Sequence, residues 1–171
     1  MKGFQLRPGG VSLFVACVPP RATHQAKKIA SRGLRRTPSG TLVPVYGLTD
    51  KPELAGAREL LAGLFSGRGM APAKPLVGDV SLIVEYEWPW LKEHDKGKFR
   101  AFRARGRMPC RSKPDCSNLA KTIEDVLVAL GYMGNDVDVV ELTVRKWFGD
   151  RPGITVRIST LEPDPFPVTR L

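Results

Sequence analysis

The chain is poor in cysteine, in acids relative to bases, and in long apolar runs. Three cysteines among 171 residues, an odd number, argue against a disulfide framework. Cys110 and Cys116 are separated by five residues and have His94 upstream, but a zinc site needs a fourth ligand and tighter spacing. No apolar run approaches the ~20 residues that span a bilayer, so no membrane partner is expected. The N-terminal apolar run is short and is interrupted by Pro8-Gly9-Gly10 and Pro19-Pro20, which argues against a secretion signal and for a cytoplasmic protein. There is no Gly-x-x-x-x-Gly-Lys-Ser/Thr loop, so a nucleotide cofactor is not expected, and an enzyme of small phosphorylated substrates finds no support. Internal repeats are absent.

What is present is positive charge, in two blocks. The net charge is +10, from 27 Lys and Arg against 17 Asp and Glu. Residues 21–36 hold Arg21, Lys27, Lys28, Arg32, Arg35 and Arg36 without an acid, a charge of +6. Residues 92–113 carry +7, through Arg100, Arg103, Arg105, Arg107, Arg111 and Lys113 among others, which leaves −3 for the rest of the chain. Charge concentrated in this way marks a polyanion partner, and nucleic acid is favoured over two merely solvated loops. Arg21, Lys27, Lys28, Arg100, Arg103, Arg105, Arg107, Arg111 and Lys113 are the candidate contacts. Trp90, Phe99 and Phe102 are interleaved with the second block. One of them is a candidate wedge for a DNA branch point, the plainer alternative being an aromatic packed on its own core.

Length and composition suit one domain over residues 1–171. Val11–Val18 reads as a strand, Leu42–Tyr46 as a short edge strand, Lys51–Phe65 as a helix and Val80–Trp88 as an alternating strand. A second helix is expected from Ser117 to Leu130, stopped by Gly131. Val139–Phe148 and Ile154–Ile158 then read as a hairpin. Residues 21–40 and 89–113 are expected to be basic loops, the second long and mobile, and 162–171 a loosely held tail. The fold class is α/β, with one small mixed sheet and two main helices.

The most informative stretch is Lys113-Pro114-Asp115-Cys116-Ser117-Asn118-Leu119-Ala120-Lys121, followed after one helix by Gly134-Asn135-Asp136-Val137-Asp138. Leu119, Ile123, Val126, Leu127 and Leu130 share an apolar stripe. Ser117, Lys121 and Glu124 share the opposite one, with Asp125 off it. Ser117 or Asn118 is the expected N-cap. Taken alone this describes a capped surface helix. The rigid charged entry and the carboxylates returning beyond its end shift the reading toward a metal site that works on a nucleic-acid backbone. A magnesium ion takes oxygen ligands, and a neighbouring lysine can stabilise charge developing at phosphorus.

The pattern Lys-Pro-Asp-x-x-Asn-Leu-x-Lys, a helix, then Asn-Asp before Val-Val-Glu resembles the RusA family of Holliday-junction resolvases, most closely from Lys113 to about Lys146. The resemblance implies a RusA-like single domain in a small, dimeric, magnesium-dependent endonuclease of bacteria or prophages. Manganese is a possible substitute ion, and a four-way DNA junction is the substrate. It also implies that Asp115 and Asp136 hold the metal, that Lys121 assists attack on the phosphodiester, and that Asn118 is the motif asparagine. The chain departs from the pattern at Ser117, where an aspartate is usual, and at Asn135, where one is common. Either activity is lost or another carboxylate serves. Glu124 is the first candidate, the alternative being a surface acid paired with Lys121, and Asp138 is a fourth ligand if it faces with Asp136 along a strand. The rival readings are a non-catalytic branched-DNA binder and a basic assembly protein.

Overall fold

The computed structural model describes residues 10–22, 27–67 and 71–161, without the side chains of Lys27, Lys28, Leu48 and Asp50. The expected tail, 162–171, lies outside the described residues. Seven strands and three α-helices follow one another as β1 (Val11–Ala16), β2 (Lys27–Arg36), β3 (Leu42–Asp50), α1 (Pro52–Phe65), β4 (Val80–Pro89), α2 (Arg100–Ala104), β5 (Arg107–Pro109), α3 (Cys116–Ala129), β6 (Val139–Gly149) and β7 (Gly153–Thr160).

Five strands form a mixed sheet in the order β1-β7-β4-β6-β5, and β2 and β3 form a separate antiparallel ribbon. β4 is central, flanked by β7 and β6 and buried along nearly its whole length. Val80, Leu82, Val84, Tyr86 and Trp88 are at most 2% exposed and meet Leu61 and Phe65 of α1 and Leu119, Ile123 and Leu127 of α3 in one core. On the reverse face, Glu85 receives Arg145 at 2.7 Å, Arg107 at 3.5 Å and Arg157 at 3.7 Å. Glu87 accepts from Arg107 at 2.8 Å and from the Arg151 backbone N–H at 2.7 Å. Truncating a core leucine such as Leu127 to alanine is expected to cost about 2–5 kcal/mol.

Three expectations need correction. β6 and β7 are not a hairpin: β4 lies between them, parallel to β6 and antiparallel to β7. The crossover through α3 delivers β6 beside β4, so the following turn must step over the end of β4, where the Glu87 carboxylate sits against Gly149 and leaves no room for a Cβ. The basic segment 21–40 is not all loop. Residues 27–36 of it pair with β3, with a bulge after Ser31 at Gly33, whose φ is +106°. The stretch 89–113 is not one long mobile loop. Two short 3₁₀ turns, α2 and β5 fold it against the sheet end, anchored by buried His94, Met108 and Cys110.

Candidate active site

The loop leading to α3 is held from both sides. Arg21 donates to Ser112 Oγ at 3.1 Å and to the Lys113 carbonyl at 2.7 Å, and its guanidinium lies 5.1 Å over the Trp88 ring. Lys146, from β6, donates to the carbonyls of Ser112 at 2.7 Å and Pro114. The Lys113–Pro114 peptide is cis.

Asp115 ends this loop and is the N-cap of α3, which begins one residue earlier than the sequence suggests. Its Oδ1 accepts from the Asn118 backbone N–H at 2.9 Å and from Ser117 Oγ at 3.0 Å, and its Oδ2 accepts from Asn118 Nδ2 at 2.7 Å. Ser117 and Asn118, the expected caps, are donors to the cap instead. Asp115 can cap because it precedes the first turn in extended conformation, where a short carboxylate reaches the free N–H groups. The Asn118 amide, with the Ser117 hydroxyl and the Lys146 charge, holds its carboxyl below the usual aspartate range.

Lys121 stands on the next turn, and its ammonium bridges Asp136 and Asp125, the latter at 3.2 Å. Asp136 arrives because α3 ends in a left-handed Gly131, φ +76°. Tyr132 and Met133 are then buried, and the Tyr132 hydroxyl is tied to the Phe65 carbonyl at 2.7 Å. The chain is thereby turned back along its own helix. The hydrogen bond to Asp136 raises the Lys121 pKa, and the same contact lowers that of Asp136.

Glu124 lies half-buried beside this pair, and its pKa is raised, first by burial and then by Asp136 and Asp125, with Lys121 opposing. Asp125, expected off the stripe, is the acid that reaches Lys121. Residues at i and i+4 are as close on a helix as i and i+3, and the long lysine side chain swings to meet it. Asp125 is itself held by Arg58 of α1. The reading of Asp138 along a strand also changes. Asp136–Asp138 is a 3₁₀ turn, so strand alternation does not apply, and the Asp138 carboxylate lies beside Gly134.

Sequence reasoning missed Asp125, Arg58 and Lys146. The four-residue spacing of Lys121 and Asp125 was the available signal. Nothing in the sequence ties Arg58 or Lys146 to a helix so far along the chain.

The proposed DNA contacts divide. Arg100, Arg105, Arg111 and Lys113 are exposed. Arg103 pairs with Asp95 at 3.4 Å and covers the Trp90 ring at 4.9 Å. Arg107 serves the glutamates of the reverse sheet face, and Arg21 serves the Asp115 loop. Lys27 and Lys28 have side chains outside the described residues. Trp90 donates to Asp150 at 2.8 Å, and Phe99 and Phe102 pack against the core edge.

The donors suit magnesium, since all are hard oxygens. Among the described residues, no three acidic, histidine or cysteine side chains already surround one point. The ammonium of Lys121 fills the space between Asp125 and Asp136. Magnesium is commonly held by one or two carboxylates, with water and substrate phosphate completing its shell, so a dedicated protein cage is not required.

The family model of endodeoxyribonuclease RusA matches residues 18–159, from just after β1 to the end of β7, with both halves of the site inside it. The chain belongs to the RusA family. The family is one of endodeoxyribonucleases, so this fold is a nuclease fold and its partner is DNA. A comparison with curated proteins gave no match. No described helix is long and apolar enough to cross a membrane.

Proposed function

We propose that the protein is a magnesium-dependent endonuclease that resolves four-way DNA junctions as a homodimer, one active site per subunit. The observation that carries the reading is the meeting of Lys121 with Asp136, two residues from separate segments of the motif, beside Glu124 and on the helix that Asp115 caps. The acids here already share the Lys121 ammonium, so a phosphate brought against them would need a further cation.

Asp115 and Asp136 would hold the magnesium ion, with Glu124 as the carboxylate that stands in for the residue Ser117 lacks. The bound ion would lower the pKa of a water and offset charge developing at phosphorus. Lys121, whose ammonium is held by Asp125 and Asp136, would supply the positive charge that offsets charge developing on the scissile phosphate. Arg100, Arg105, Arg111 and Lys113 would contact the backbone, and affinity would fall steeply with salt. A two-fold dimer matches a two-fold junction and allows paired cuts.

A synthetic four-way junction, incubated with magnesium and with chelator, tests this. Cutting with magnesium alone supports it. Binding without cutting in either condition selects the second reading, a branched-DNA binder, which Ser117 favours by offering Asp115 a hydroxyl where a carboxylate is usual. Within the first reading, Glu124→Gln is expected to stop magnesium-dependent cutting and leave junction binding intact or tighter. Near-normal cutting removes Glu124 from the mechanism.

A further inference from the structure

A cavity of about 430 Å³ opens at the end of the sheet, next to the loop that carries Asp115. Its lining includes Phe99, Phe102, Met108 and Phe148, with Arg111, Ser112 and one acid, Glu93. Three features of this cavity bear on what it takes.

The first is shape. Phe99 and Phe102 come from separate turns of the 89–113 stretch and are half-buried, so each keeps ring surface available. Their frame is fixed by buried His94, whose Nδ1 accepts from the Leu91 N–H at 3.2 Å and whose ring meets Phe99 and Phe148 edge-on at 5.1 and 4.7 Å. The cavity therefore presents flat apolar surface on a braced frame, with a volume in the range of sites for ring-bearing ligands.

The second is charge. Arg111 lines the cavity, and the exposed Arg100, Arg105 and Lys113 on the same stretch of chain outweigh Glu93, the one acid in its lining. A polyanion drawn to these cations carries its bases to an aromatic opening. Basic rims with aromatic floors are how single-stranded nucleic acid is held, because every base has a face to stack.

The third is position. Ser112 precedes Asp115 by three residues, a span of at most about 11 Å even fully extended. That is on the order of three nucleotide steps at 3.4 Å per step along a strand. Lys146 clamps both ends of this short segment, so cavity and carboxylate keep a fixed spacing.

We propose that this cavity takes one unstacked nucleobase within about three nucleotides of the phosphate that the active site addresses, stacking it on Phe102. The inference rests on the reading of the chain as a branched-DNA enzyme and adds the subsite that would set its base preference. Bases at a branch point are already partly freed of their neighbours, which lowers the cost of extrusion.

The test is a binding cycle in EDTA, where no cutting occurs, so that failure to cut would sink the proposed function and leave this readout untouched. Abasic sites are placed one at a time within three nucleotides of the branch point of a synthetic four-way junction, and dissociation constants are measured for the wild type and for Phe102→Leu. Phe102→Ala serves as a second variant, and melting temperatures confirm that both fold. At one position the abasic site should weaken wild-type binding about tenfold, the order that stacking on an aromatic side chain contributes. The same abasic site should weaken Phe102→Leu by less than about twofold. Equal losses in the two proteins at every position, or no loss at any position, would overturn the proposal.

Discussion

The corner around α3 and the β2–β3 ribbon are built on opposite terms. At the corner, contacts from other elements fix the main groups: Lys121 meets Asp136 as well as Asp125 of its own helix, Asp125 meets Arg58, and the Asp115 loop is held by Arg21 and Lys146. The ribbon instead exposes Ile29, Leu34, Leu42 and Tyr46 to between 53% and 73%, and Arg32, Arg35 and Arg36 stand beside them. A two-stranded ribbon has little stability of its own. Under the proposed function the chemistry sits where tertiary contacts fix side-chain position, and the ribbon, with its exposed arginines, would add to the grip supplied by Arg100, Arg105, Arg111 and Lys113. The pairings in the ribbon still demand local room. The Arg32 side chain lies across Gly47, where a Cβ would collide with it.

Lys121→Ala should separate the two regions most sharply. Cleavage of a bound junction is expected to fall about 10²–10³-fold, the scale for losing one preorganised charge at a transition state, with junction affinity within about twofold of wild type. Parallel losses of binding and cutting would mean that the corner also grips. Asp125→Asn should give a smaller loss, about tenfold in the cutting rate, because Lys121 keeps Asp136 and loses only one of its two anchors. A single-turnover rate at saturating protein reads this directly, and an unchanged rate would make Asp125 a bystander. On the ribbon, Arg35→Ala with Arg36→Ala should leave the rate of the bound complex unchanged and reduce the salt dependence of binding by about 2 in slope. The same slope as wild type would remove the ribbon from the DNA interface.

The smallest effect is on stability. The folded-state carboxyls of Asp115 and Asp136 lie below the ordinary aspartate value of about 3.9. Their contribution is therefore complete above that value and is lost as pH falls through the lower folded one. Thermal melts should show this as a decline confined to acid below about pH 4, and Asp115→Asn should make it shallower.

Much of the corner was legible in the sequence because local rules decide it. The helix, its apolar stripe, the left-handed Gly131 stop and the return of Asp136 all follow from spacing within one short stretch. The cap was misassigned by two or three residues because three oxygen-bearing side chains stood in competition, and only geometry ranks them. The sheet order was not legible, since β6 and β7 are joined by a three-residue turn that looks like a hairpin and is not. Arg21 shows the limit in the other direction. It lies in a basic block that reads as a DNA contact, and it is committed to the Ser112–Lys113 backbone and the face of Trp88. Charge counts locate basic segments, whereas the partner of each cation depends on contacts far along the chain.

The account rests on carboxylates from two separate segments serving one ion beside the Lys121 ammonium. Its most direct test is the magnesium dependence of four-way junction cleavage by the wild type, Asp115→Asn and Asp136→Asn. The account predicts that the wild type cuts only with magnesium and that each variant binds the junction but fails to cut at any magnesium concentration. Magnesium-saturable cutting by either variant at a rate near that of the wild type would contradict it.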